Sequence, residues 1–198
     1  HRLVHGGEKY SKSVIINGFY ENNTSKRGFI KINGINVESS YNTIVNDYGT
    51  VVINGTKNNT TGENTTVINA SNYAIANEDR VYINGGVINA TKRIVTGEYN
   101  TVVVNEVKNI NQDDDNQVAY TELTANDEYA LYGYWSSITV NGGKVKSVNN
   151  IAIRGHHPIT VNGGTITGTR GIQNEQWCSW STCGWEPITV TGGTIIGT

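Results

Sequence analysis

The sequence predicts an all-β solenoid wound from coils of about 21 residues, and three observations predict it. A phrase of the form Val/Ile-x-Val-Asn-Gly recurs along the chain. Its starts at Ile30, Val51, Val81, Val102, Ile138, Ile159 and Ile188 lie 21, 30, 21, 36, 21 and 29 residues apart. Three spacings are identical, and the others are that period enlarged by 9, 15 and 8, the pattern of a repeat with inserted loops. Finally, Ile and Val alternate with Thr and other polar residues, the period of a strand with one buried face, while no stretch carries a helical period.

Each coil opens with the phrase strand, as in Ile138-Thr139-Val140. The Asn-Gly pair that follows turns the corner, because both residues accept positive φ at low cost. A short strand such as Thr165-Ile166-Thr167 comes next, then a turn and a further strand. The further strand is expected at Thr43-Ile44-Val45, Tyr73-Ala74-Ile75, Ile94-Val95, Ala130-Leu131-Tyr132, Ile151-Ala152-Ile153 and Ile172-Gln173. Twenty-one residues suit a three-sided coil, and a rise of about 4.8 Å per coil pairs each strand in parallel with its copies above and below. Asn33, Asn54, Asn84, Asn105, Asn141 and Asn162 share one corner position, with Thr191 in the seventh coil, so a side-chain amide ladder is expected there. Pro158 and Pro187 precede coil starts, where a missing N–H is tolerated. Upstream, Val14-Ile15-Ile16-Asn17-Gly18 repeats the phrase within a partial coil over 1–29, and the regular coils occupy 30–198.

The 198 residues are enough for one domain of seven to eight coils. Charged residues make up 16 %, below the ~25 % of ordinary domains, and the net charge is −2. No basic stripe is available to neutralise phosphates, so nucleic acid is not an expected partner. No apolar run is long enough for a membrane-spanning helix, so membrane insertion is not expected either. The chain starts at His1 and contains no Met, which reads as a mature or excised segment. Its last strand, Thr194-Ile195-Ile196-Gly197-Thr198, lacks a cap, so end-to-end packing with neighbouring modules is expected.

Three expansions interrupt the period, near 56–66, 106–125 and 173–187, and recognition in solenoids sits in such loops. The first is polar and carries Asn-x-Ser/Thr sequons. With one in a later coil, the glycosylation candidates are Asn58, Asn59, Asn64 and Asn89. The second holds Asp113-Asp114-Asp115, whose oxygens are candidate Ca²⁺ ligands, although no cofactor is required by this reading. Downstream lie Tyr132, Tyr134 and Trp135. The third contains Trp177, Trp180 and Trp185 around Cys178 and Cys183, which can close a small ring. A loop held this way either presents rigid aromatic anchors to a partner or folds over the flank of a coil. The sequons and the cysteine pair point to a secreted or cell-surface location.

With the coil phrase over residues 14–198, the chain resembles the right-handed parallel β-helix family. That resemblance implies a fold shared by pectate lyases, polygalacturonases and many surface adhesins. Polygalacturonases combine paired aspartates with Gly-His-Gly and Arg-Ile-Lys; here Gly155-His156-His157 lacks the second glycine and no Arg-Ile-Lys occurs. Arg154 and Arg170, with His156 and the aspartates, are the residues an enzyme of this kind would use. The style of the repeats is more similar to adhesin-like or scaffolding modules of large extracellular proteins. The expectation is a non-catalytic binding module whose partner is a protein or a polysaccharide, with a polysaccharide-active enzyme and a structural, self-assembling spacer as the alternatives.

Overall fold

The computed structural model describes residues 14–21, 24–107, 116–179 and 182–198. Among them there is no helix, and three seven-stranded sheets carry the fold. The phrase sheet stacks Gly28–Asn33, Gly49–Asn54, Arg80–Ile83, Thr101–Val104, Ser137–Val140, Ile159–Val161 and Ile188–Val190. The second sheet runs from Ile35–Ser39 to Thr194–Gly197, and the third from Ile15–Asn17 to Ile172–Asn174. All pairings within these sheets are parallel, and successive phrase starts lie directly over one another: Ile30 on Val51, Val51 on Val81, Val81 on Val102, Val102 on Ile138, Ile138 on Ile159 and Ile159 on Ile188. The insertions therefore leave the register untouched. This is the stacked arrangement of a β-helix solenoid.

Alternation puts one aliphatic side chain of each pair inside. Val51, Val81, Val102, Ile138 and Ile159 form one fully buried column, and Ile68, Ile88, Leu123, Val145 and Ile166 form another across the core. A third column, Ile44, Ile75, Val95, Leu131 and Ile153, closes the triangle. Burial of this kind is the main favourable term in folding.

The expected corner ladder is present. Asn54, Asn84, Asn105, Asn141 and Asn162 each donate from Nδ2 to Oδ1 of the asparagine one coil earlier, at 2.6 to 2.9 Å, and Thr191 Oγ1 donates to Asn162 at 2.7 Å. A second ladder was not anticipated. Asn17 donates to Asn46 and Asn46 to Asn77, all three buried at the end of third-sheet strands. At the corner itself, a Cβ on Gly85 would lie 1.9 Å from the Gly55 carbonyl oxygen, so only glycine fits there.

The structure departs from the expectation in three places. The upstream copy of the phrase, Ile15–Asn17, belongs to the third sheet, paired with Ile44–Asn46, because an antiparallel hairpin of Phe19–Glu21 and Thr24–Lys26 intervenes before the first phrase strand. The strand expected over 151–153 is observed at Ile153–Gly155; Asn150 Oδ1 holds the Ile151 N–H and bends the chain before it. The first two expansions are also not separate loops. Thr56–Asn58 pairs antiparallel with Gln117–Ala119 across the tight Gly85-Gly86 corner between them, and Thr56 Oγ1 donates to Gln117 Oε1 at 2.7 Å. Tyr120 beneath this ribbon lies under Lys57 (4.8 Å from the ring centroid) and Lys144 (5.6 Å). Its hydroxyl donates to Glu122; that bond, with burial and the nearby carboxylate charges, pushes its pKa up to about 12.

Asn54→Ala breaks two ladder bonds at a buried site and is expected to cost about 2 kcal/mol, against about 0.5 kcal/mol for the exposed Asn162→Ala, read from urea denaturation midpoints. A tyrosine whose folded pKa is raised keeps its proton longer in the folded state. Its stabilisation is complete below about pH 10 and is lost as pH rises through about 12. Stability curves over that interval should fall less steeply for Tyr120→Phe than for the parent.

Candidate functional site

Three glycines in register, Gly97, Gly133 and Gly155, end third-sheet strands in successive coils, and Asn174 takes the same position in the next. The residues after them form the corner into the phrase sheet. Glu98-Tyr99, Tyr134-Trp135 and His156-His157 therefore occupy equivalent places, one coil above another. Side chains at that corner meet because the coils stack. Trp135 lies 6.2 Å from Tyr99 with the rings within 5° of parallel, and 5.1 Å from His157. Trp177 continues the group, 5.9 Å from Trp135 and 6.3 Å from His157. Tyr134 packs edge-on against Trp135 and lies 4.6 Å from His156.

The third expansion is a small β-hairpin. Trp177–Ser179 pairs antiparallel with Thr182–Gly184, and Cys178 and Cys183 are bonded across it. Gly184 faces the Trp177 indole so closely that a Cβ would lie 2.9 Å from the ring, so glycine is what lets the tryptophan cross its partner strand. The neck is tied as well. Asn174 Nδ2 donates to the Glu186 carbonyl at 2.7 Å. Glu175 accepts two hydrogen bonds from Arg154, at 2.5 and 2.6 Å, and one from Gln173 Nε2 at 3.0 Å, and faces His156 Nε2 at 3.3 Å. His156 Nδ1 lies 3.2 Å from the Gln176 carbonyl, so both ring nitrogens are engaged.

Below the neck, the outer face of the third sheet carries an arginine–tyrosine stack. The Arg93 guanidinium lies over Tyr132 at 4.5 Å and over Tyr129 at 5.3 Å, and pairs with Glu128 at 2.6 Å. Arg154 lies over Tyr129 at 4.8 Å and hydrogen-bonds its hydroxyl. Burial raises the Tyr132 pKa above the ordinary phenol value. For Arg154 burial works to lower the pKa, but the bonds and charge of Glu175, with Tyr129, more than offset it and hold the guanidinium above its usual value. The Arg154–Glu175 pair holds the neck of the hairpin against the coils, while Arg93–Glu128 joins adjacent coils below it.

Of the residues expected to bind a partner, Tyr132, Tyr134, Trp135 and Trp177 come together at this corner, and Trp185 stands beside the neck, 68 % exposed. Trp180 lies outside the described residues, as do Asp113, Asp114 and Asp115. Among the described residues, no group of three or more His, Cys, Asp or Glu side chains is placed to hold a metal. Of the glycosylation candidates, Asn59 is exposed, while Asn58 and Asn64 are half-buried in the first expansion. Asn58 Oδ1 accepts from the Thr60 and Thr61 N–H groups, and Asn89 Nδ2 donates to Asn69 Oδ1 at 2.9 Å. Arg154 and His156, named for the enzyme alternative, do converge, but on Glu175, which the sequence marks only as one residue of an expansion.

Removing the Glu175 carboxylate should release the hairpin without disturbing the coils. Glu175→Ala is expected to speed amide hydrogen exchange in Trp177–Ser179 and Thr182–Gly184 by roughly tenfold or more, with Ile138 and Ile159 unchanged.

Comparison with protein-family models, with curated proteins and with solved structures finds no match for this chain.

Proposed function

We propose that this protein is a non-catalytic extracellular module that binds a protein or glycan partner through the hairpin and the aromatic corner of a β-helix. In this reading the helix winds to the right, as parallel crossovers do, in seven to eight coils of about 21 residues. The observation that carries it is the construction of the hairpin. A disulfide between cysteines 5 positions apart, a neck hydrogen bond and a Glu175–Arg154 pair all restrain one projection that bears Trp177 and Trp185. Rigid aromatic side chains on a fixed loop lose little entropy on contact and dominate binding energy where they are buried by a partner.

The disulfide suggests an oxidising environment, which supports a secreted or cell-surface location. The engaged state of His156 and Arg154 supports binding over catalysis. A general base needs a nitrogen free to take a proton, and both nitrogens of His156 face carbonyl or carboxylate oxygens. A polysaccharide-active enzyme therefore draws less support from the same residues.

Trp185→Ala and Cys178→Ser are the test. Partner capture on the surface of the source cells or their matrix should weaken at least tenfold with either, while the β circular dichroism spectrum stays as in the parent. Undiminished capture by both variants would place recognition elsewhere on the solenoid.

A further inference from the structure

Tyr99 is the residue that the fold does not account for. It is 71 % exposed, and it is the one non-glycine residue with positive φ among the described residues, at 53°. A bulky side chain in the left-handed region strains the backbone, and exposing its ring forgoes the gain from burial. Residues held this way cluster where a protein binds or reacts, and the inference runs from the outlier to a role. Tyr99 also begins a row. It is followed, one coil at a time, by Trp135 and His157, with ring centroids 6.2 and 5.1 Å apart, and Trp177 packs beside both, 5.9 Å from Trp135 and 6.3 Å from His157. Two coil rises of ~4.8 Å make this row about 10 Å long, parallel to the solenoid axis.

We infer that this row binds a linear, uncharged oligosaccharide laid along the axis, with Tyr99 as its far anchor and the hairpin at its near end. The inference rests on the binding role proposed above and names the ligand class. Two features select a glycan over a protein surface. The row is one residue wide and advances one coil at a time from Tyr99 to Trp135 to His157, which suits a ligand that is itself a repeat. Two residues before Tyr99, Gly97 lines a hollow of about 250 Å³ together with Tyr41, Tyr73, Ala76, Glu78 and Thr96. That is smaller than the ~300–1,000 Å³ of sites that engulf a ligand whole, so it suits one ring of a longer chain.

Charge selects an uncharged ligand. The two arginines nearest the aromatic group are committed to Glu128 and Glu175, and exposed Arg170 is turned to Gln173. Glu98, adjacent to Tyr99, is exposed and forms no ion pair among the described residues; the same holds for Glu186 at the neck, which is half-buried. A polyanion laid on this row would meet carboxylates at both ends.

The experiment is a calorimetric titration of the full chain with β-linked hexasaccharides of glucose, xylose, mannose and galactose, and with hexagalacturonate. At least one of the four neutral hexasaccharides should bind, at least tenfold more tightly than its monosaccharide and than hexagalacturonate. Tyr99→Asn keeps a residue that tolerates the left-handed conformation and should cut that affinity tenfold or more with no loss of melting temperature. Tyr99→Phe, which keeps the ring, should retain it. The inference fails if none of the four neutral sugars binds at millimolar concentration, if hexagalacturonate binds more tightly than they do, or if Tyr99→Asn binds as the parent. Partner capture that still depends on Trp185 in any of those cases leaves the binding module standing with a protein partner, whereas loss of both sinks the module reading itself.

Discussion

Every coil of this protein has to lie on a copy of itself. Parallel pairing in constant register sets each side chain about 4.8 Å above its equivalent in the coil below, and a position can hold only what tolerates its own company. Branched aliphatics do so inside, where Val51, Val81 and Val102 form a column that excludes water. Asparagine does so at the corner, because its amide is both donor and acceptor and can hand a hydrogen bond from coil to coil without a partner of another kind. Charged residues do so poorly, which accounts for a charged fraction of 16 %.

The same constraint decides where the chain can vary. An insertion within a strand would shift the inward face outward in every later residue of that strand. Insertions are therefore confined to corners, and those described return the chain to the register it left. Once outside the coils, inserted segments are free to pair antiparallel with one another or with themselves. The ribbon joining Thr56–Asn58 to Gln117–Ala119 and the disulfide-bonded hairpin are the two outcomes. Stacking also turns one residue per coil into a continuous surface. Tyr99, Trp135 and His157 are 36 and 22 residues apart in sequence and a single rise apart in space.

Much of the scaffold was legible because the repeat appears in sequence as spacing. The asparagine ladder, the aliphatic columns and the positions of the three sheets all follow from aligning one phrase. What escaped was the part that does not repeat. Ile15–Asn17 looks like the phrase but lies on a different side of the coil, since identity of residues does not reveal how many corners precede them. Glu175 gave no signal, because a lone carboxylate in a loop is common and its importance comes from Arg154 and His156 arriving from the coil below. Tyr99 was equally silent, since neither its φ nor its exposure is written in its neighbours.

By itself the sequence determined the class of fold, the period, the corner chemistry and the three breaks in the lattice where a site would be built. Those are local or periodic properties, and short-range patterns encode them. Only the tertiary structure decided which residues from different coils share the aromatic corner, that two expansions are one ribbon, and that His156 and Arg154 hold a hairpin in place. The reason is physical. Contacts between coils depend on the accumulated length of everything between them, so a loop of 8 or 15 extra residues changes which side chains are neighbours in sequence while leaving unchanged which are neighbours in the stack.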